Sequence, residues 1–254
     1  MSAPVRFRVS RAVTLVALTV LLAIIAASCR SVLSRKYEYD EDVHLSLDGS
    51  ATVYVNAAIP ALVALRGLEL DVDPRARLDL DAVRAAYETP VSHVANASGS
   101  RRDNRRYVHL RIDVSDIRRL AEAPPFGWSR YALDRTEDLV TFRQTVQGAA
   151  GREVGNVGWS GDEIVAFRLH LPSRVPFHNS PSREIQRGNI VVWEQKLTDR
   201  RAGVPIDIEV RMEPESILIH TLTLFGITVL LAGATFALAI WWTVRRGRPQ
   251  ISDQ

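Results

Sequence analysis

The sequence has little cysteine and little lysine, and both shortages limit what the protein can be. Cys29 is the only cysteine among 254 residues, so no disulfide can form within the chain and its fold must depend on a core. Two lysines stand against thirty arginines, a bias that is typical of a GC-rich bacterial genome. The formal net charge of +3 comes from arginines at the two ends, and the remainder of the chain carries −2. We therefore expect no nucleic-acid partner.

Catalytic and cofactor motifs are also lacking. The chain contains no G-x-S-x-G, H-E-x-x-H or Walker-type sequence. The glycine-rich stretch from Gly155 to Gly161 has no lysine for phosphate binding, and it predicts a wide turn. Four histidines occur singly on predicted strands, which is typical of solvent-facing imidazoles: His44, His93, His109 and His170. The sequence therefore predicts no metal site and no cofactor, and it favours a protein that is not an enzyme.

A long apolar run near the end predicts a single transmembrane helix over residues 216–244. Trp241 and Trp242 lie where an interfacial aromatic belt belongs, and arginines follow at once. Because positively charged flanks stay on the cytoplasmic side, residues 245–254 are expected to form a cytoplasmic tail.

The first 29 residues have the parts of a bacterial export signal. Arginines precede an apolar run from Ala12 to Ala27, and the sequence from Ala26 to Cys29 is similar to a lipobox, in which Cys29 would be lipidated. Ordinary signal-peptide cleavage and an uncleaved N-terminal anchor are the alternatives. All three place residues 30–215 outside the cytoplasm, at the bacterial cytoplasmic membrane.

Residues 30–215 predict one α+β domain. Val43 to Leu47 and Ala51 to Val55 alternate around Asp48-Gly49, which predicts a β-hairpin. Seven further segments have strand character, and short helices are predicted after Pro60, after Asp79 or Asp81, and after Ser115-Asp116. Alternation favours sheets with one wet face, so we expect a twisted antiparallel sheet of about seven to nine strands with two or three short helices.

Two loops are candidate binding sites because variable loops on a rigid scaffold often carry function. The first extends from Leu171 to Trp193, and a structural loop rigidified by prolines is the alternative. Its candidate residues are Phe177, His178, Asn179, Arg183 and Trp193. The second loop contains Phe126 and Trp128, which could contact a ligand or membrane or could close one end of the core.

The first loop also carries a family resemblance. A strand that ends in Leu171-Pro172, followed by Asn179, Gly188 and a strand ending in Trp193 before a C-terminal membrane helix, resembles the LppM-type bacterial lipoproteins. The resemblance covers residues 163–242 in pattern, and Cys29 corresponds to the lipidation site. It implies an extracytoplasmic α+β domain between a lipidated N-terminus and a C-terminal anchor, with lipid or glycolipid binding.

Three functions follow as hypotheses. The first is a non-enzymatic, membrane-tethered envelope domain that binds a lipid, a glycolipid or a partner protein. An acyl chain would need an unfilled apolar cavity beside Leu62, Leu65, Leu68, Val83 and Tyr87, whereas a packed core would favour a protein-interaction module. The second is an envelope hydrolase with His178 as base and Glu184 nearby. The third is an accessory subunit of a membrane complex that packs through Gly226 and Gly233.

Overall fold

The computed structural model describes residues 37–102, 104–149, 151–215 and 217–246. The predicted export signal with Cys29, and the end of the predicted cytoplasmic tail, lie outside these residues.

Ten strands form within the described residues. They are β1 (Tyr37–Leu45), β2 (Ala51–Ala58), β3 (Ser92–Arg102), β4 (Arg105–Val114), β5 (Ser129–Arg135), β6 (Val140–Val146), β7 (Ile164–His170), β8 (Phe177–His178), β9 (Ile190–Lys196) and β10 (Ile206–Met212). The α-helices are α1 (Ile59–Arg66), α2 (Leu80–Tyr87), α3 (Leu197–Arg201) and α4 (Ile217–Arg246), and Ile117–Glu122 and Pro124–Phe126 form short 3-10 helices.

The local signals explain most of these boundaries. Gly49 adopts a positive φ of 93° in the turn between β1 and β2, a conformation that glycine reaches without strain. Pro60 lies in the first turn of α1, where a missing N–H costs nothing, and Gly67 ends the helix in the left-handed conformation. Of the two aspartates that could cap α2, Asp79 does so, because its side chain accepts a hydrogen bond from the Ala82 N–H at 2.9 Å.

The strands form two sheets. The larger sheet has six strands in the order β3-β4-β2-β1-β7-β9, and the smaller has four in the order β5-β6-β10-β8. Their inner faces meet around Glu41 of β1, whose carboxylate accepts hydrogen bonds from Gln144 of β6 and Tyr131 of β5. The core therefore lies between the sheets, with α1 wholly buried beside them.

The prediction of an α+β fold with a long C-terminal apolar helix is confirmed. Two details differ from the expected single antiparallel sheet. The strands divide into two sheets, and β1 pairs with β7 in parallel, with His44 opposite His170. The alternation of apolar and polar residues indicates a strand and its solvent-exposed face, but it does not indicate which distant strand pairs with it. The two-residue strand β8 is too short to leave a pattern in the sequence.

Helix α4 is long and apolar enough to cross a membrane. Within Thr221–Arg246 the most apolar 18-residue window has a mean hydropathy of 2.1, and none of that window is buried by the rest of the described chain. The guanidinium groups of Arg245 and Arg246 lie 4.9 Å and 3.8 Å from the ring centres of Trp241 and Trp242. This end of the helix thus has the aromatic and basic groups of an interfacial anchor, and the chain is that of a membrane-associated protein.

Candidate functional site

The parallel pairing of β1 with β7 assembles a cluster of side chains that the sequence does not reveal. On β1, Asp40, Asp42 and His44 alternate with buried residues, so these three share the outer face of the six-stranded sheet. In the β1/β7 register His44 lies directly opposite His170. The two imidazole rings consequently stack, with centres 3.8 Å apart and an angle of 16° between their planes.

Asp42 completes this group, which we call the His–Asp cluster (Asp42, His44 and His170). Its Oδ1 lies 2.8 Å from Nε2 of His170 and 3.8 Å from Nε2 of His44. One potential ligand atom from each of the three residues lies within 4.8 Å of the other two. The side chains of Asp42 and His170 are 22% and 25% exposed, whereas that of His44 is 45% exposed, so the cluster opens to solvent on the His44 side.

The surroundings of His44 favour its neutral imidazole. Burial and the neighbouring His170 lower the pKa of His44, and Asp42 opposes this shift. The adjacent Asp40 is less available, because its carboxylate pairs with Arg168 of β7. Burial raises the pKa of Asp40, although Arg168 opposes that shift. Each outward carboxylate of β1 therefore has a different partner, a guanidinium for Asp40 and imidazoles for Asp42.

The His–Asp cluster lies at one side of a surface groove of about 810 Å³, which we call the His44 groove. The groove extends over the adjoining ends of β1, β2, β3, β4 and β7. Its lining combines imidazole and hydroxyl groups with one ion pair between Arg111 and Asp113, whose Nε and Oδ1 are 3.4 Å apart. The hydroxyl-bearing residues of the lining are Ser46, Ser50, Thr52, Thr89, Ser92 and Ser115. The surface is more polar than apolar, although all of these hydroxyls except that of Ser46 already hydrogen-bond within the protein.

Hydrogen bonds connect one wall of the groove to the segment that precedes α4. Leu171 and Pro172 line it, and the next residue, Ser173, donates a hydrogen bond from its hydroxyl to the Glu213 carbonyl at 2.7 Å. The Glu213 N–H in turn donates to the Arg174 carbonyl at 2.9 Å. Because Glu213 is four positions before the first residue of α4, the groove and the start of that helix are joined by a short connection.

The interior contains a buried ionic cluster, which we call the Glu41 cluster (Tyr39, Glu41, Arg66, Tyr131 and Gln144). A guanidinium nitrogen of Arg66 lies 3.1 Å from Oε2 of Glu41, and that oxygen also accepts a hydrogen bond from the Tyr39 hydroxyl at 2.8 Å. Gln144 donates to the other carboxylate oxygen at 2.9 Å. Every member is buried. Arg66 also stacks on Tyr39, with its guanidinium carbon 4.4 Å from the ring centre.

The helical segments that could have lined an acyl-chain cavity are part of the ordinary core. All five residues are at most 7% exposed and pack within one hydrophobic cluster: Leu62, Leu65, Leu68, Val83 and Tyr87. Tyr87 makes an edge contact with Phe126, with ring centres 5.3 Å apart. By the criterion set by the sequence, this packing weighs against an acyl chain held between these helices and the sheet, and it favours a protein-interaction module.

The glycine-rich stretch forms the wide turn that its composition predicts. Residues 151–160 have no regular secondary structure, and the turn is attached to the larger sheet through buried carboxylates. The Trp159 indole N–H donates to Glu38 at 3.1 Å, and the Ser160 and Gly161 N–H groups each donate to Glu163 at 2.8 Å. Arg105 contacts both Glu38 and Glu163. These contacts fix the segment that leads into β7.

The first candidate loop connects the two sheets. The Asn179 side chain accepts hydrogen bonds from the Trp193 indole at 3.1 Å and from the Glu209 N–H at 2.9 Å, and it donates to the Asp207 carbonyl. Trp193 is buried. Both side chains are therefore engaged in holding β9 against β10, which agrees with the structural alternative for these two positions.

The other residues of this loop have separate surroundings. Phe177 is exposed beneath the guanidinium of Arg211, whose carbon is 4.7 Å from the ring centre, and Arg183 is exposed with a positive φ of 54°. His178 accepts a hydrogen bond from the Ser180 N–H at 3.3 Å. Within the described residues no hydrogen bond or ion pair joins His178 to Glu184, so the pair suggested for a hydrolase is not assembled. Binding by this loop stays a prediction.

The second candidate loop is divided between core and surface. Phe126 is completely buried, whereas Trp128 is about one-third exposed. Phe126 thus closes one end of the core, and only Trp128 is available for contact. The glycines suggested for helix packing, Gly226 and Gly233, have no atom near the position of an added Cβ, so that surface of α4 is open.

The chain was also compared with known proteins. No protein-family model matches it, and no curated protein sequence matches it. Among solved structures, the folded domain of the Mycobacterium tuberculosis protein LppM aligns with a TM-score of 0.38 and 17% sequence identity. The alignment covers 70% of this chain and 91% of that domain. A similarity this low carries no argument about the family or the function of this chain.

Proposed function

We propose that this chain is a membrane-tethered, non-enzymatic domain outside the cytoplasm that binds the polar headgroup of an envelope glycolipid in the His44 groove. The observation that supports this most is the groove itself, whose lining of hydroxyl, imidazole and ion-paired groups is joined to the point where the chain leaves the domain. A sugar presents closely spaced hydroxyls that both donate and accept hydrogen bonds, and this lining can satisfy both roles.

The length of the tether supports a ligand at the membrane surface. Only residues 214–216 separate Glu213 from α4, and an extended chain spans at most about 3.6 Å per residue. The four steps from Glu213 to Ile217 therefore cover no more than about 14 Å. With α4 crossing the membrane, Ser173, which follows the groove-lining Pro172, stays within about two nanometres of the bilayer. A headgroup at that surface is within reach, and its acyl chains need not leave the membrane.

The packed interior supports a headgroup ligand over an enclosed acyl chain. Apolar side chains of two segments, Leu62 to Leu68 and Val83 to Tyr87, pack into the core. The Glu41 cluster occupies the space between the sheets. A ligand is therefore expected to be recognised by its polar part from outside the core, with recognition depending on groups such as Arg111 and Asp113.

The test uses the full chain in mixed micelles that contain a diglucosyl diacylglycerol, phosphatidylglycerol and unglycosylated diacylglycerol in equal amounts. Native mass spectrometry is expected to find the diglucosyl lipid retained in preference to the other two. The Arg111→Ala/Asp113→Ala variant is expected to lose this preference at least tenfold. The matched control is Arg143→Ala/Asp134→Ala, which removes an ion pair of the same residue types, 2.8 Å long, from the smaller sheet.

Each outcome has a distinct meaning. Equal retention of glycosylated and unglycosylated lipid contradicts headgroup recognition. If the groove variant and the control variant lose the preference for the diglucosyl lipid to the same extent, the lipid binds outside the groove. Binding of a free diglucoside as tight as that of the lipid contradicts a membrane ligand and indicates a soluble sugar.

A further inference from the structure

The His–Asp cluster differs from the other histidines in the described part of the chain. His93 contacts Glu88 at 2.7 Å, and His109 contacts Asn56 at 2.9 Å and Ser100 at 2.8 Å, so each of these rings has hydrogen-bond partners. The ring nitrogens of His44 and His170 make no hydrogen bond to any described residue. They lie instead beside a single shared carboxylate oxygen, Oδ1 of Asp42.

That oxygen is itself unsatisfied. Oδ1 of Asp42 is buried and lacks a hydrogen bond among the described residues. Its 2.8 Å contact with Nε2 of His170 is an ion pair when that ring is protonated, and it is not a hydrogen bond. The carboxylate oxygen and one nitrogen from each ring lie within 4.8 Å of one another, which is close enough for all three to share one cation. A buried carboxylate oxygen without a partner is costly, and a bound cation removes that cost.

We propose that Asp42, His44 and His170 bind a divalent transition-metal ion of the Zn²⁺ class. Two imidazole nitrogens and one carboxylate oxygen form a ligand set of intermediate softness, which suits Zn²⁺ or Co²⁺ and does not suit Ca²⁺ or Mg²⁺, whose sites are built from oxygens. Metal–ligand bonds of roughly 2.0–2.2 Å in a tetrahedron place ligand atoms about 3.3 Å apart. The observed separations from Asp42, 2.8 Å and 3.8 Å, lie on either side of that value.

The remaining geometry allows the ion to enter. An ion shared by both rings requires them to tilt from their present 16° stacking, and the broad χ2 torsion of histidine allows this for the half-exposed His44. The open side of the cluster faces the His44 groove, so at least one coordination position stays free for water or another ligand. The inference depends on these three side chains alone and does not rest on the proposed binding of a headgroup.

The experiment uses the full chain in detergent micelles, freed of metal by chelation. Isothermal titration with Zn²⁺ alone is expected to give one site per chain, and Co²⁺ is expected to produce the visible absorption of a four- or five-coordinate ion that Zn²⁺ then displaces. Mg²⁺ and Ca²⁺ are expected not to compete. His170→Ala, His44→Ala and Asp42→Asn should each weaken Zn²⁺ binding at least tenfold. His93→Ala, another histidine of the same groove, is the matched control and should leave the affinity unchanged.

Two results would overturn the proposal. One is the absence of stoichiometric Zn²⁺ binding by the unmodified chain. The other is wild-type affinity in His170→Ala or Asp42→Asn, which would assign the bound ion to other groups. A circular-dichroism spectrum and thermal midpoint for each metal-free variant establish that it is folded. The increase in thermal midpoint on adding Zn²⁺ gives a second readout, expected in the unmodified chain and in His93→Ala but not in the three ligand variants.

Discussion

The two faces of β1 place similar carboxylates in opposite situations. Glu41 points inward, is fully buried, and is held by Arg66, Tyr39 and Gln144. Asp42, the next residue, points outward, and its Oδ1 has no hydrogen bond although two imidazoles lie beside it. One strand thus carries a carboxylate held by several hydrogen bonds and, one position later, a carboxylate oxygen that lies beside two imidazoles without a hydrogen bond.

This difference separates a structural role from a binding role. Inside the core, a charge is tolerated only when its partners are fixed, and such partners keep their protonation states. Burial raises the pKa of Tyr39 and Tyr131 well above the ordinary value, and both hydroxyls donate to Glu41. On the outer face, solvent and exchangeable ligands can reach the His–Asp cluster from the half-exposed side of His44. We therefore expect mutations on the inner face to change stability and those on the outer face to change binding.

The largest effect should come from breaking the inner cluster. Arg66→Ala leaves Glu41 as an uncompensated buried charge, and this is expected to lower the free energy of unfolding by about 3–5 kcal/mol. Denaturant unfolding of the full chain in micelles, followed by circular dichroism, measures the change. The control is Arg143→Ala, which removes a half-exposed ion pair and should cost no more than about 1 kcal/mol.

A second variant distinguishes charge imbalance from lost packing in the same cluster. Glu41→Leu/Arg66→Met removes both charges at similar volume and should recover at least half of the stability lost in Arg66→Ala. Full recovery is not expected, because Gln144 and Tyr39 then lose an acceptor. A double variant less stable than Arg66→Ala would contradict the view that the unpaired charge is the main cost.

An intermediate effect is expected at Glu163, which anchors the turn leading into β7. Burial raises the pKa of Glu163, but hydrogen bonds from the Ser160 and Gly161 N–H groups lower it by more, so that it lies below its ordinary value of 4.5. A lowered folded-state pKa adds stability that is fully present above pH 4.5 and is lost as pH falls through the folded-state value. Glu163→Gln should therefore cost about 1–2 kcal/mol at neutral pH and less in acid.

Thermal unfolding as a function of pH checks this expectation. The stability difference between the unmodified chain and Glu163→Gln should shrink as pH falls below 4.5, whereas Glu153→Gln, at an exposed position in the same turn, should behave like the unmodified chain. A difference that stays constant with pH would mean that the carboxylate charge of Glu163 does not hold the turn.

The smallest effect on stability is expected on the outer face. In the presence of a chelator, His44→Ala should change the free energy of unfolding by no more than about 1 kcal/mol, because its ring is half-exposed and its ring contacts are the stack on His170 and an edge contact with Tyr54. The same denaturant measurement applies. A loss comparable with that of Arg66→Ala would remove the distinction between the two faces and make the His–Asp cluster a structural element.

Much of the fold could be predicted from the sequence because its signals are local. Strand character in the sequence identified nine of the ten strands, Pro60 marked the start of α1, and the apolar run predicted α4. The site could not be predicted in the same way. The polar face of β1 was visible as alternation at Asp42 and His44, and His170 had the same polar position on β7. No residue pattern, however, indicated that these two strands are neighbours.

The sequence by itself determined most of the elements, the inward and outward faces of the strands that it predicted, and the separation of an apolar helix from a polar domain. It did so because side-chain direction alternates with every residue and because helix ends depend on a few adjacent groups. Only the tertiary structure decided that β1 lies parallel to β7, that His44 therefore stacks on His170, and that Glu41 meets Arg66 in the core. Pairing between distant strands depends on how the whole core packs, and that packing is a property of all the segments together.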